Sequence, residues 1–134
     1  MKVLVLTQYF FPETFRINEV VRSLKALASS VTVLTGQPNY PEGITYSGYR
    51  WWGCSRKNEN GLDVIRVPLL PRRGSKLFLT VNYISFVFFA FLVGGWITRN
   101  DKFDVIFCYA PSPLIQALPG IWFSKFIEFN KQQL

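Results

Sequence analysis

The fold is decided by residues 1–35, which read MKVLVLTQYFFPETFRINEVVRSLKALASSVTVLT. Residues 2–7 are an almost unbroken run of β-branched and leucine side chains, a pattern typical of a parallel strand covered on both faces. In residues 17–28, apolar side chains recur at spacings of three and four, which predicts an amphipathic helix. Residues 31–35 predict a second strand. Because the links are short, this strand–helix–strand unit favours a right-handed crossover and a parallel strand pair.

The same alternation continues along the rest of the chain. Residues 62–67 and 103–108 have the apolar pattern of strands, whereas residues 77–97 and 114–126 have that of helices. We therefore predict an α/β fold for residues 1–134, with a single domain and a doubly wound, mostly parallel sheet. The default strand order for such a half is 3-2-1-4.

A long loop and a hairpin signal separate the second and third predicted strands. Residues 36–48 are rich in proline and glycine and predict a loop. Residues 50–52 are then predicted to pair with residues 62–67 around the Asn60-Gly61 turn signal, as a basic and aromatic hairpin. Alternatively, residues 62–67 form a third sheet strand, and the chain before it leaves the sheet and returns.

Composition narrows the possible chemistry. The chain has 134 residues, of which 49% are hydrophobic and 17% charged, as expected for one compact domain. It contains no histidine, which removes the usual general base near neutral pH and most zinc sites, so we expect no metal. The net charge is +7, and residues 50–76 carry seven basic and two acidic side chains. This balance favours phosphate-bearing partners or anionic lipid.

Other common signals are missing or weak. Cys54 and Cys108 are far apart in sequence and form no metal or redox motif, so we expect two reduced thiols in a cytosolic protein rather than a disulfide. The first loop lacks G-x-G-x-x-G, and the chain has no G-x-x-x-x-G-K-[ST], which argues against dinucleotide and ATP binding. The apolar run at the N-terminus is too short for a signal peptide and is interpreted as a strand.

The uncharged segment at residues 77–97 has three interpretations. At ~1.5 Å per residue its 21 positions would span ~30 Å of hydrocarbon, so it is either a membrane-spanning helix, a helix partly inserted at a membrane face, or a buried crossover helix. Arg72, Arg73 and Lys76 precede it and favour the second interpretation, because they would meet lipid headgroups. The expected apolar anchors are Phe78, Phe86, Phe88, Phe89, Phe91 and Trp96.

Three stretches together resemble a known enzyme family. They are QYFFPETFRINE (8–19), VTVLTGQPNYPEG (31–43) and GLDVIRVP (61–68). The chain resembles the N-terminal half of a family 4 glycosyltransferase of the GT-B type, and more narrowly the bacterial enzymes that assemble O-antigen or colanic acid polysaccharides. That family has two Rossmann-like domains across a cleft; the N-terminal one binds acceptor and the C-terminal one binds a nucleotide sugar through a Glu-x7-Glu motif. No glutamate pair has that spacing here.

The resemblance implies a function for the complete enzyme and a limit for this chain. The implied reaction is retaining transfer of a sugar from a UDP- or GDP-linked donor to a lipid-linked glycan, at the cytoplasmic face of a bacterial inner membrane. We expect residues 1–134 to be an incomplete N-terminal domain that lacks its C-terminal partner, holds no cofactor and is inactive alone. The alternatives are a non-enzymatic membrane-surface module and a nucleic-acid binder; the second is not expected, because no recognised motif supports it.

Candidate binding residues lie after the predicted strands, where ligands bind in sheets of this kind. The predicted acceptor-binding residues are Glu13, Arg16, Asn18, Asn39, Tyr40 and Ser112. Three of them have a structural alternative: Glu13 would face a helix dipole, Asn39 would form a turn, and Ser112 would cap a helix. Arg16 is disfavoured by the same dipole, which favours a binding role for it. No catalytic residue is assigned.

Overall fold

A computed structural model describes residues 1–72, 76–110 and 119–125. Its elements in chain order are β1 (Lys2–Thr7), α1 (Ile17–Leu27), β2 (Ser30–Gly36), β3 (Ser55–Glu59), β4 (Leu62–Val67), α2 (Lys76–Phe89), a π-helical turn (Ala90–Gly94), α3 (Gly95–Ile97) and β5 (Val105–Tyr109). Residues 119–125 are also helical, within the last helix predicted from sequence. Ser112 and Arg73 lie outside the described residues.

The five strands form one sheet in the order β3-β4-β2-β1-β5. β4, β2, β1 and β5 run parallel to one another, and β3 is antiparallel to β4. The four predicted parallel strands therefore stand in the predicted order 3-2-1-4, which confirms the α/β class and the mostly parallel sheet. This arrangement is compatible with a Rossmann-like fold.

The hairpin prediction is wrong in its first strand. β3 comprises Ser55–Glu59, whereas Arg50 belongs to a turn in which its carbonyl accepts a hydrogen bond from the Gly53 amide. Asn60 and Gly61 have φ values of 53° and 80°, and Glu59 pairs with Leu62, so the turn has only two residues. A two-residue turn requires the partner strand to end directly before it, which residues 50–52 do not do.

Helices cover both faces of the sheet. On one face, Val3, Val5 and Val33 pack against Ile17 and Val21 of α1. On the other face, the buried cluster joins strands to the long helical segment, and it comprises Leu4, Leu6, Leu34, Ile65, Val67, Leu69, Phe86, Ala90, Phe103 and Phe123. The helix approaches β2 so closely at Gly94 that an added Cβ would lie 2.8 Å from Leu34 Cδ2.

The helical segment Lys76–Ile97 is anchored to the protein by polar side chains. Asn82 Nδ2 donates to the Leu70 carbonyl at 2.6 Å, and Gln8 Nε2 donates to Asn82 Oδ1 at 2.6 Å. Ser85 Oγ accepts from the Leu70 amide at 3.1 Å. Asn82 and Ser85 are both buried, and these two polar residues face Gln8 after β1 and Leu70 after β4.

In the part of the chain that is described, this segment is the one helix long and apolar enough to cross a bilayer, judged by length and composition alone. Within its most apolar stretch of 18 residues, 28% is buried in the protein. The strand after it, β5, pairs with β1 over five residues in the same sheet. A spanning helix would place β5 on the opposite side of a membrane from β1, so the spanning interpretation does not agree with this sheet.

Candidate functional site

Glu13 lies where the loops after β1 and β2 meet. Its side chain is buried, with 1% of its surface exposed. Oε2 accepts hydrogen bonds from the backbone amides of Asn39 at 3.1 Å and Tyr40 at 2.7 Å. A carboxylate of the first loop therefore holds the backbone of the second loop at the carboxyl edge of the sheet.

This position corrects one interpretation of Glu13. α1 begins at Ile17, with Arg16 as its N-cap residue, and the acidic residue of its first turn is Glu19. Glu13 precedes the helix by a full turn, and its carboxylate is bound by the second loop. The helix-dipole explanation for Glu13 is therefore replaced by a link between the two loops.

The Glu13 carboxyl group titrates near neutral pH. Burial raises its pKa to about 7, although the backbone amides of Tyr40, Asn39 and Phe10 and the charge of Arg66 act in the opposite direction. Its second oxygen, Oε1, is buried and has no hydrogen-bond partner within the described residues. This carboxyl group is therefore able to hold or release a proton near pH 7.

Two predicted asparagines also present buried oxygens. Asn18 Nδ2 donates to the Glu13 carbonyl at 2.8 Å, and Asn39 Nδ2 donates to the Gln37 carbonyl at 3.4 Å. Their Oδ1 atoms are buried and find no partner among residues 1–72, 76–110 and 119–125. Together with Glu13 Oε1, they give the site three hydrogen-bond acceptors that lack donors.

Tyr40 forms the exposed rim of the site. Its ring is 37% exposed, and it lies 4.8 Å from the Phe15 ring and 5.8 Å from the Tyr9 ring, measured between centroids. The Arg72 guanidinium stands 5.0 Å from the Tyr40 ring and donates to the Pro41 carbonyl at 3.2 Å. Arg72, predicted as a membrane-docking residue, is thus held beside the second loop.

The predicted set divides into three groups. Glu13, Asn18, Asn39 and Tyr40 come together at this edge of the sheet, through the hydrogen bonds described above. Arg16 is exposed at the start of α1. The prediction for Ser112 lies outside the described residues.

Sequence reasoning missed Arg66 as a site residue. Only 2% of it is exposed; its guanidinium donates to the carbonyls of Gly36 and Phe11 and lies 5.2 Å from the Tyr49 ring centroid. The available signal was a charged side chain between the apolar residues Ile65 and Val67, at the end of strand β4. From sequence alone, Arg66 is one of the seven basic residues between positions 50 and 76.

The described residues contain no cluster of three or more histidine, cysteine, aspartate or glutamate side chains that could hold a metal ion. Cys54 and Cys108 are free thiols, Cys54 exposed and Cys108 partly buried. Comparisons with known proteins return nothing: no family model, no curated protein and no solved structure matches the chain.

Proposed function

We propose that this chain is the acceptor-binding half of a retaining, GT-B type glycosyltransferase of family 4, with a Rossmann-like, doubly wound sheet. The resemblance in the loops after β1 and β2 suggests the family, and the parallel strand order 3-2-1-4 is compatible with it. The complete enzyme would transfer a hexose-type sugar from a UDP- or GDP-linked donor to a lipid-linked glycan in cell-surface polysaccharide synthesis.

The observation that carries the proposal is the set of unpaired acceptors at the carboxyl edge of the sheet. Glu13 Oε1, Asn18 Oδ1 and Asn39 Oδ1 are buried without donors in the described part of the chain. Leaving such atoms unpaired costs ~1–3 kcal/mol each. Sugar hydroxyls would remove this cost if the loops after β1 and β2 move apart to admit them, because the three oxygens are buried in this arrangement. Tyr40 is partly exposed at this site, and an exposed aromatic side chain is a group against which a sugar ring packs.

The chain alone is expected to be inactive. In a two-domain cleft enzyme, the gain from orienting donor against acceptor exists only when both halves close. Isothermal titration calorimetry with UDP- and GDP-sugars on the isolated chain tests this. We expect no submillimolar donor binding, and such binding would contradict the half-site proposal.

A fusion to a C-terminal half from the same family tests the function itself. Glycosyl transfer by the fusion supports the proposal, and failure of a folded fusion to transfer any sugar opposes it. In an active fusion, Arg16→Ala should lower kcat/KM by ~10-fold, the effect of one charged hydrogen bond. Arg22→Ala is the matched control, because Arg22 is exposed on α1, farther from the loop that holds Glu13. Equal effects of the two substitutions would remove Arg16 from the acceptor site.

We further propose that the protein associates peripherally with an anionic membrane, at the cytoplasmic face. An exposed row of apolar side chains, the apolar stripe, runs along the outer side of the long helical segment: Leu77, Phe78, Ile84, Phe88, Leu92 and Trp96. Lys76 at its start is exposed, and Arg99 stacks on the Trp96 ring at 4.3 Å. Cations beside apolar anchors are the combination that binds anionic lipid surfaces.

Vesicle flotation tests the membrane proposal. Phe88→Gln/Trp96→Gln should weaken binding to anionic vesicles by at least ~10-fold, because each apolar side chain that becomes buried in the lipid contributes ~1.5–3 kcal/mol. Leu27→Gln/Ile44→Gln is the matched control, since both residues are exposed elsewhere. Arg72→Gln/Arg73→Gln/Lys76→Gln should weaken binding by ~3 kcal/mol at most. Flotation that is indifferent to lipid charge, to the Phe88/Trp96 variant and to the Arg72/Arg73/Lys76 variant would contradict membrane association.

The apolar stripe also favours a second candidate function, a membrane-surface module without enzymatic activity. It predicts the same flotation result together with an inactive fusion. The two functions are therefore separated by the transfer assay alone.

A further inference from the structure

A cleft of about 390 Å³ lies over the hairpin formed by β3 and β4, beside the loop that precedes β3. Its lining includes Gln37, Tyr49, Arg50, Lys57, Glu59 and Arg66. Lys57 and Glu59 alternate along one face of β3, and Ser55 on that face pairs with Arg66 of β4. The volume lies within the ~300–1,000 Å³ range of small-molecule sites.

Arg66 brings an incompletely paired positive charge to this cleft. Its two close partners are neutral backbone carbonyls, those of Gly36 and Phe11. The nearest carboxylate recorded for it is Glu59, with Oε2 3.7 Å from an Arg66 terminal nitrogen. The Nε atom of Arg66 is buried and has no hydrogen-bond partner in the described residues. A buried guanidinium with a free N–H favours an oxyanion ligand.

The other charges of the cleft act in the same direction. Arg50 and Lys57 are exposed and line it together with Arg66, against one acidic side chain, Glu59. An anion entering the cleft would therefore meet three cations and one carboxylate, a net charge of +2. Arg66 is buried, so its charge acts more strongly on a ligand than the charges of the exposed Arg50 and Lys57 do.

One wall of the cleft is already held in place. Gln37 Nε2 donates to the Gly53 carbonyl at 2.8 Å, which joins the end of β2 to the loop before β3. A Cβ at Gly53 would lie 3.0 Å from the Arg50 carbonyl and 3.2 Å from Gln37 Nε2, so the backbone packs closely here. A wall fixed before binding lowers the ordering cost that a ligand must overcome.

We propose that this cleft binds the phosphate group of a ligand, as a monoester or diphosphate. The proposal stands on the cleft and its charges and does not depend on the proposed sugar transfer. Phosphate suits the site because its several oxygens accept from a guanidinium and an ammonium group at once. The phosphate belongs either to a soluble ligand or to a lipid headgroup.

Calorimetry with sodium pyrophosphate on the full chain tests the site. Replacing Arg66 would also release the carbonyls it holds, so the test variant is Arg50→Gln/Lys57→Gln. We expect its dissociation constant to rise by at least ~10-fold, since hydrogen bonds to charged groups are strong. The control, Arg22→Gln/Lys102→Gln, removes the same charge at exposed positions outside the cleft and should change binding less than ~2-fold. No pyrophosphate binding by the wild type, or equal weakening in both variants, would overturn the proposal.

Cys54 supplies a second readout, because its exposed thiol lines the same cleft. Pyrophosphate should slow alkylation of Cys54 by iodoacetamide and leave Cys108 unaffected, as measured by peptide mass spectrometry at constant ionic strength. Equal slowing at both thiols, or at neither, would contradict occupancy of the cleft.

Vesicles containing phosphatidic acid distinguish the two sources of phosphate. Protection of Cys54 by these vesicles, lost in Arg50→Gln/Lys57→Gln, identifies a headgroup ligand. Protection by pyrophosphate alone identifies a soluble one. Both results support a phosphate site, whereas protection that persists in the double variant refutes it.

Discussion

A glutamine in place of Glu13 should make the stability of the protein much less dependent on pH between 5 and 8. Glutamine keeps one side-chain oxygen that accepts from the amides of Asn39 and Tyr40, and it removes the titrating proton. The substitution therefore separates the charge of this side chain from its role in joining the two loops.

The sign and size of the effect follow from the pKa of Glu13. Burial raises this pKa from its ordinary value of 4.5 to about 7, so the folded state binds the proton more tightly than the unfolded state. The resulting stabilisation is fully present below pH 4.5 and is lost as the pH rises through 7. A shift of this size corresponds to ~3 kcal/mol in total, of which ~2.5 kcal/mol is lost between pH 5 and pH 8. The chain contains no histidine that would titrate in the same range.

Urea unfolding at pH 5, 6, 7 and 8, followed by circular dichroism and tryptophan fluorescence, measures this loss. The wild type should lose ~2.5 kcal/mol of unfolding free energy across the range, and Glu13→Gln should lose most of that slope. Glu19→Gln is the control, because Glu19 is exposed in the first turn of α1 and should leave the slope unchanged. A wild-type stability that is flat with pH, or an equal slope in Glu13→Gln, would refute the assignment of a neutral-pH carboxyl group.

Three further substitutions test the helix packing and the hairpin turn, each by urea unfolding at constant pH. Asn82→Ala should cost ~1–3 kcal/mol, because it leaves the partly buried Leu70 carbonyl and the buried Gln8 amide without their partner, whereas Thr80→Ala on the exposed side should cost less than ~0.5 kcal/mol. Gly94→Ala should cost ~1–3 kcal/mol by forcing the helix away from β2, and a neutral result would show that the neighbouring side chain yields. Gly61→Ala should cost ~1 kcal/mol, because alanine is strained at φ 80°; an unchanged midpoint would contradict this reasoning about the hairpin turn.

The parallel strands could be predicted because each is an apolar run that needs no context. β3 could not be predicted in this way. Its sequence, SRKNE, has no apolar face, and none of its five residues is buried. It is a strand because the tight turn after it aligns its backbone with β4. Edge strands of this kind owe their conformation to pairing rather than to intrinsic preference.

The candidate site could be predicted only in part from the sequence. Glu13, Asn18, Asn39 and Tyr40 were identified because ligand-binding loops follow the carboxyl ends of parallel strands. The hydrogen bonds that join the two loops were not predictable, since they depend on side-chain distances that no sequence pattern encodes. The role of Arg66 required knowledge of which loop carbonyls face the end of β4.

The central position of β1 has a consequence for the order in which the protein acquires its structure. β1 pairs with β2 on one side and with β5 on the other, and Val3 lies opposite Val105. During synthesis at ~5–20 residues per second, β1 leaves the ribosome before the other four strands and β5 leaves after them. For several seconds, the nascent chain holds a sheet that is complete on one side of β1 only. Closing the other side requires contact across about a hundred residues, so we expect this pairing to limit the folding rate.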